Sequence, residues 1–425
     1  MVDHSTWRNA MRLNLLNRMN KLLFLVFGIW AVCGAFSPAF GAESIWDALT
    51  QGKPGLDVRY RFEWVDQEGK KKNADANTLR TRLGYASDSY RGVSGYLEFE
   101  DVRSLGTARY NDTKNGKTEY PVVADPPDTE VNQAYLNVQG PADTHIRFGR
   151  QRIILDNARF VGNVGWRQNE QTFDAILIAN RSLPRTTLTY VFVRNVNQVF
   201  GDHNPGKGDA HMKSHLVNLA VQTPAGILVG YGYLLDYDHT PDSNIKTFGL
   251  RLNGDHELLE NVKLLYTAEY ALQSNFADGL SSNDADYLLA EVGGAVHGVS
   301  ATAGFERLSG DGTYGFSTPL ATLHAFQGWA DQFLATPADG VQDLYLKVLA
   351  MLFGVQWSAV YHDFASDHLH YGFGEEVDLS AVKKFDKKIV LGLNFASFHG
   401  DDNSRNPGTQ SLNTKKFWVW VQTMF

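Results

Sequence analysis

The last eleven residues, 415–425, alternate Phe417, Val419 and Val421 with Lys416, Trp418, Trp420 and Gln422, and end on Phe425. Side-chain character that switches with period two marks a β-strand whose faces meet different surroundings. One such strand suits a soluble sheet as well as a membrane, so recurrence decides. Leu56, Val58, Tyr60, Phe62 and Trp64 share one face of a segment whose other face carries Asp57, Arg59, Arg61 and Glu63. Leu79, Leu83 and Tyr85 likewise oppose Arg80 and Arg82, and Val93, Leu97 and Phe99 oppose Tyr96, Glu98 and Glu100. Val262, Leu264, Tyr266, Ala268 and Tyr270 oppose Lys263, Thr267 and Glu269. A soluble core has no place for four charges on one strand face, whereas a water-filled lumen accepts them and lipid accepts the apolar face.

Segments of this kind number about eighteen along the chain. The links between them sort by parity. Residues 87–92, 139–143, 179–185, 223–226 and 383–387 are brief and turn-like, while 101–130, 151–171, 197–214, 273–285, 308–341 and 397–414 are long and polar. Short periplasmic turns and long outer loops distinguish bacterial barrels, and closure removes the sheet edges that hydrocarbon would penalise. The predicted fold is all-β: a transmembrane antiparallel up-and-down β-barrel of about 18 strands, built as one domain over residues 43–425.

The amino-terminal segment indicates the compartment. Arg8, Arg12, Arg18 and Lys21 precede an apolar run from Leu22 to Phe36, and Ala39-Phe40-Gly41 supplies small residues around a cleavage point. Residues 1–42 therefore read as a cleaved signal peptide, with Met19 as an alternative start, and the barrel is expected in the outer membrane of a Gram-negative bacterium. The single cysteine, Cys33, falls inside that segment without the small residue that precedes a lipidated cysteine, so no disulfide or thiol chemistry is expected in the mature chain. Beyond residue 42 no stretch approaches an apolar helical span, which excludes a helical membrane protein. The formal net charge of −8 argues against a nucleic-acid partner.

A barrel of this strand number encloses an aqueous channel rather than a packed interior. Arg59, Arg61, Arg80, Arg82, Arg147, Arg194 and Arg251 fall on inferred lumen faces, with Arg150 and Arg152 close to a strand end. Guanidinium groups bind carboxylate or phosphate bidentately, and rings of them favour anions. Asp57, Glu63, Glu98, Glu100, Asp174, Glu269, Glu291 and Glu306 fall on similar faces, so mutual neutralisation is an equally open reading. Two loops are candidates for the constriction. Residues 151–171 carry Arg159, Trp166 and Arg167. Residues 318–334 carry His324 and Trp329, with a threonine cap, a first-turn proline and apolar residues near helical spacing that suggest a short helix over the mouth; a loop packed on its own aromatics is the alternative.

Arg80-Thr-Arg82-Leu-Gly84, Phe148-Gly-Arg-Gln151, Trp166 and Phe173-Asp174, in this order and with terminal Phe425, resemble the alginate export family of outer-membrane barrels from about Gly55 to Phe425. That resemblance implies a monomeric eighteen-stranded barrel whose arginine-rich lumen passes an anionic uronate polymer, a role it places on Arg59, Arg80, Arg82, Arg147, Arg150 and Arg152. The chain departs from the family in its many lumenal carboxylates. The expected function is passive passage of anionic saccharides or small carboxylates, with a weakly selective general porin as the alternative. No cofactor, metal site or catalytic residue is expected: His362 and Asp363 are adjacent on a strand and point to opposite faces. Expected partners are outer-membrane lipid and lipopolysaccharide, the anionic solute, and barrel-assembly machinery acting through the strand that ends at Phe425.

Overall fold

Strict alternation over segments long enough to cross a bilayer at a tilt leaves backbone polar groups that only neighbouring strands can satisfy, and the chain responds by closing. The computed structural model describes residues 41–204, 206–386, 388–401 and 411–425. Residues 1–40 of the expected signal peptide lie outside the described residues. The strands are β1 (Lys53–Gln67), β2 (Ala74–Ala86), β3 (Val93–Ser104), β4 (Asp128–Gly140), β5 (Thr144–Gln151), β6 (Thr172–Asn180), β7 (Thr186–Asn197), β8 (Asp209–Thr223) and β9 (Gly226–Leu235). They continue as β10 (Ile245–Leu259), β11 (Val262–Asn275), β12 (Ala285–Val296), β13 (Val299–Leu308), β14 (Val341–Leu352), β15 (Val355–Ala365), β16 (Gly372–Phe385), β17 (Ile389–Gly400) and β18 (Thr414–Met424). Each pairs antiparallel with its sequence neighbours in one 18-stranded sheet, and β1 meets β18 from Asp57↔Met424 to Gln67↔Thr414. Leu56 and Phe425 exchange both backbone hydrogen bonds at the seam.

The period-two pattern sorts side chains as expected on β1, where Arg59, Arg61 and Glu63 are buried inward. Leu83, Leu97, Phe99, Phe248, Leu250, Leu344, Leu346 and Trp357 are exposed on the outer, lipid-facing side. Short turns link strands on the periplasmic side. At 297–298 and 353–354 both turn residues take positive φ, ending in Gly298 (φ 81) and Gly354 (φ 68), the left-handed pair whose twist matches a two-residue hairpin. Ahead of β1, α1 (Ile45–Thr50) is capped by Ser44, whose hydroxyl accepts from the Asp47 amide at 3.0 Å. The sequence reading missed α1 because six residues hold too little periodicity to show.

The lumen departs from expectation in one respect. Its wall is not polar throughout: Phe173 and Ala175 of β6, Val191 and Val193 of β7, Leu216 of β8 and Val229 and Tyr231 of β9 face inward and form the main buried apolar cluster. Loop 3 (residues 152–171) and loop 7 (residues 309–340) fold into the barrel against this wall, contributing Ile153, Val161, Phe316, Leu320 and Phe333. Phe160 of loop 3 sits 5.2 Å from Tyr231 and from Tyr287, and 5.9 Å from Phe316 of loop 7. Burying an aromatic side chain of this size stabilises by about 1.5–3 kcal/mol, enough for a few such contacts to hold a loop inside.

Candidate functional site

The basic wall begins with a conflict: Arg59 of β1 lies directly across from Arg80 of β2, and like charges in that position repel. Each arginine resolves it with a different partner. Arg80 pairs with Asp57 at 2.9 Å, and Arg82 pairs with Glu100 of β3 and with Glu170 of loop 3 at 3.2 Å. Arg61 pairs with Asp125 and with Glu63 at 3.5 Å, and donates to the Trp166 carbonyl. Among the described residues Arg59 pairs with no carboxylate. It donates to the carbonyls of Gly165 (3.0 Å), Trp166 (3.1 Å) and Arg167, and to Gln168 Oε1 (2.9 Å). The arginines of β1 and β2 thus anchor the inward tip of loop 3.

From that tip a second layer joins loop 3 to loop 7. Arg167 pairs with Glu63 at 3.2 Å and with Asp331 of loop 7 at 3.0 Å. Asp331 also receives Lys416 of β18 at 2.6 Å and His324 Nδ1 at 2.7 Å. The His324 imidazole lies parallel to the Trp166 indole, 4.7 Å away and tilted by 5°, with Trp418 edge-on to both. Burial lowers the His324 pKa despite the neighbouring carboxylate, so the ring is neutral and donates its Nδ1–H. Burial pushes the Asp331 carboxyl up, but Lys416 and the other donors outweigh it and hold the pKa well below the usual range. The same balance, won by Arg82 and Arg152, keeps Glu170 at about 2. Arg152 reaches Glu170 at 2.5 Å and Glu98 at 3.0 Å.

The opposite wall has the opposite sign. Glu306 of β13, Asp343 of β14, and Glu376 and Asp378 of β16 are buried inward. Arg159 of loop 3 crosses to Glu306 at 2.7 Å and to Gln327 of loop 7 at 3.1 Å. Loop 7 presents its backbone: the Trp329 amide donates to Asp378 at 3.1 Å and the Ala330 amide to Glu376 at 2.6 Å. Gly328, at φ 77, lets this turn close onto Glu376, because a Cβ there would overlap the carboxylate. His362 bridges Asp343 at 2.9 Å and Asp378 at 3.7 Å, and stacks on Phe364. The sequence reading left Asp343, Glu376 and Asp378 unassigned, although Glu376-Val-Asp-Leu379 alternates acidic with apolar as a wall strand does.

Several expectations need correction. Residues 318–334 form turns and no helix; Leu323 (φ 61), Gln327 (φ 49) and Asp331 (φ 62) take left-handed backbone, and the amides are turned toward Glu376 and Asp378. Arg194 lies outside the lumen. Val191 and Val193 face inward, so Arg194 takes the outer face of β7 with Leu188, at the point where the register with β8 shifts, and is exposed. Arg150 shares the outer face of β5 with Phe148 and pairs at the rim with Asp174 at 2.8 Å, which places Asp174 outside as well. Arg251 faces inward and is paired with Glu269. Arg147 is the exception: its Nε donates to Asn137 at 2.8 Å, its guanidinium lies 4.3 Å from the Tyr135 ring centroid, and among the described residues it has no carboxylate partner.

The sequence matches the alginate export family over residues 51–297. No curated protein matches it. OccAB3 of Acinetobacter baumannii superposes with a TM-score of 0.67 at 13% identity, covering 88% of this chain and 100% of that one. OccK5 (OpdH) of Pseudomonas aeruginosa gives 0.65 at 12% identity over 89% and 99%. OpdK of Pseudomonas aeruginosa, crystallised with vanillate, gives 0.66 at 11% identity over 88% and 98%. At such identities these likenesses concern the fold, a closed outer-membrane barrel, and with the family match they place the protein in the outer membrane of a Gram-negative bacterium as a channel. The chain belongs to the alginate export family.

Proposed function

We propose that this channel passes anionic solutes, acidic saccharides or small carboxylates, passively and without a cofactor. The observation that carries the reading is Arg147. Arg61, Arg80, Arg82, Arg152 and Arg167 are tied to carboxylates and Arg59 to loop carbonyls. Arg147 keeps its Nη groups for a solute, and a guanidinium uncompensated in the lumen favours anions. Membership of the alginate export family supports an acidic saccharide. Closure of the lumen by one chain favours a monomer. Residues 1–42 direct export, and β18 with Phe425 is the segment offered to the assembly machinery.

The test is the reversal potential of the purified barrel in a planar bilayer under a salt gradient, with wild type beside Arg147→Glu. An anion preference that Arg147→Glu abolishes is the expected result. A wild type with no preference fits the weakly selective general porin and overturns the reading.

A further inference from the structure

On the periplasmic side of loops 3 and 7, three lumenal aromatics lie along the wall. A Cβ added at Gly304 or Gly392 would overlap the ring of Tyr345 or Trp420, whereas one at Gly84 would meet the Tyr96 hydroxyl. Gly304 pairs directly with Tyr345, and Gly392 with Trp420. A Cα–Cβ bond stands out from the sheet, so the Tyr345 and Trp420 rings, which occupy that space, lie over their glycines on the lumen side. Tyr231 lies over Gly249 in the same way, but Phe160 of loop 3 covers it and leaves it 6% exposed. Tyr96, Tyr345 and Trp420 keep partial exposure.

Their polar edges are tied down, which fixes the rings. The Tyr96 hydroxyl donates to Glu98 at 2.7 Å, the Tyr345 hydroxyl to Glu291 at 2.7 Å and Trp420 Nε1 to Asn394 at 3.2 Å. Arg147 stands over Tyr135, which packs 5.4 Å from Tyr96; Lys347 Nζ lies 5.9 Å from the Tyr345 centroid but pairs with Glu291 at 3.5 Å. Glu98 cannot absorb Arg147, because it already accepts from Tyr96, Asn132, Gln133 and Arg152.

We infer that this part of the lumen wall is a binding zone for acidic pyranose rings, whose apolar faces stack on Tyr345 and Trp420 while their carboxylates meet Arg147. The proposal rests on the anionic-channel reading and narrows it, because an acyclic carboxylate has charge but no flat face to stack. Fixed rings suit this role, having little side-chain freedom left to lose on binding.

The test is single-channel blockade by galacturonate oligomers, with succinate as the acyclic control, in wild type, in Trp420→Ala with Tyr345→Ala, and in Gly392→Ala. Removing two stacking faces is expected to weaken oligogalacturonate blockade about tenfold while weakening succinate blockade much less. Gly392→Ala keeps the indole but displaces it, and is expected to give a smaller loss in the same direction. Oligogalacturonate blockade unchanged by the double variant, or oligogalacturonate and succinate blockade falling together, overturns the stacking zone while leaving the anionic reading standing. A wild type without anion preference removes both.

Discussion

The two walls of the lumen hold their loops with opposite chemistry. The arginines of β1 and β2 grip loop 3 by its carbonyls and by Glu170, whereas the carboxylates of β16 grip loop 7 by its amides. A wall charge here is thus a fastening for a loop first and a selectivity element only when left over. Counting lumenal arginines against carboxylates therefore misreads the pore, because the backbone of each loop supplies uncounted partners. Arg59, which looks from sequence like a solute ligand, is occupied by four loop acceptors, and Arg147, an unremarkable member of the same set, is left without a carboxylate partner among the described residues.

Arg167→Ala is expected to make the largest difference, because it strips a cation from between Glu63, Asp125 and Asp331. Arg61 still pairs with Glu63 and Asp125, and Lys416 with Asp331, so the loss is about 2–3 kcal/mol, below that of an unpaired buried carboxylate, and visible as a lower thermal midpoint and a noisier, larger conductance. Glu376→Gln on the other wall is expected to cost less, roughly 1–2 kcal/mol, since the amide oxygen still accepts from Ala330. Equal losses would mean that the walls do not differ in how they hold their loops.

Acidification sharpens the comparison at the loop 3–loop 7 junction. His324, Asp331 and Glu170 all have folded pKa values below their unfolded ones, so each binds fewer protons folded than unfolded. Their contribution is complete above about pH 6.5 and begins to fall below it as the imidazole of the unfolded chain takes up a proton. It falls further below about pH 4.5, where the unfolded carboxyls protonate while Glu170 holds a folded value near 2. Hydrogen exchange of loop 3 and loop 7 amides is expected to quicken, after correction for intrinsic rates, as pH drops from 7 to 4. Slower corrected exchange at pH 4 would contradict the assignment.

The smallest effect is expected from Arg194→Ala, within about 0.5 kcal/mol and without change in ion selectivity, as for an exposed residue outside the lumen. A measurable drop in anion preference would return Arg194 to the permeation path.

Which side chains enter the lumen was legible wherever the inward face of a strand is polar. Arg59, Arg61, Arg80, Arg82, Arg147 and Arg251 follow from parity alone. Arg194 was not legible, because the inward face of β7 carries Val191 and Val193, so apolar character there marks the packed lumen instead of lipid and the charged face is the outer one. The turns at 318–334 were hidden for another reason. Their cap and apolar spacing satisfy helix rules locally, but Asp378 and Glu376, far along the chain, offer better acceptors for two of the amides.

The sequence by itself determined the barrel. Period-two alternation assigns each residue to lipid or lumen, and backbone hydrogen bonding in hydrocarbon permits only closure, so topology and strand number follow from local pattern. Only the tertiary structure decided which lumenal charges remain free. That choice is made by contacts between residues far apart in sequence, such as Arg59 with Gln168, Arg159 with Gln327 and Arg167 with Asp331, and no local period encodes them.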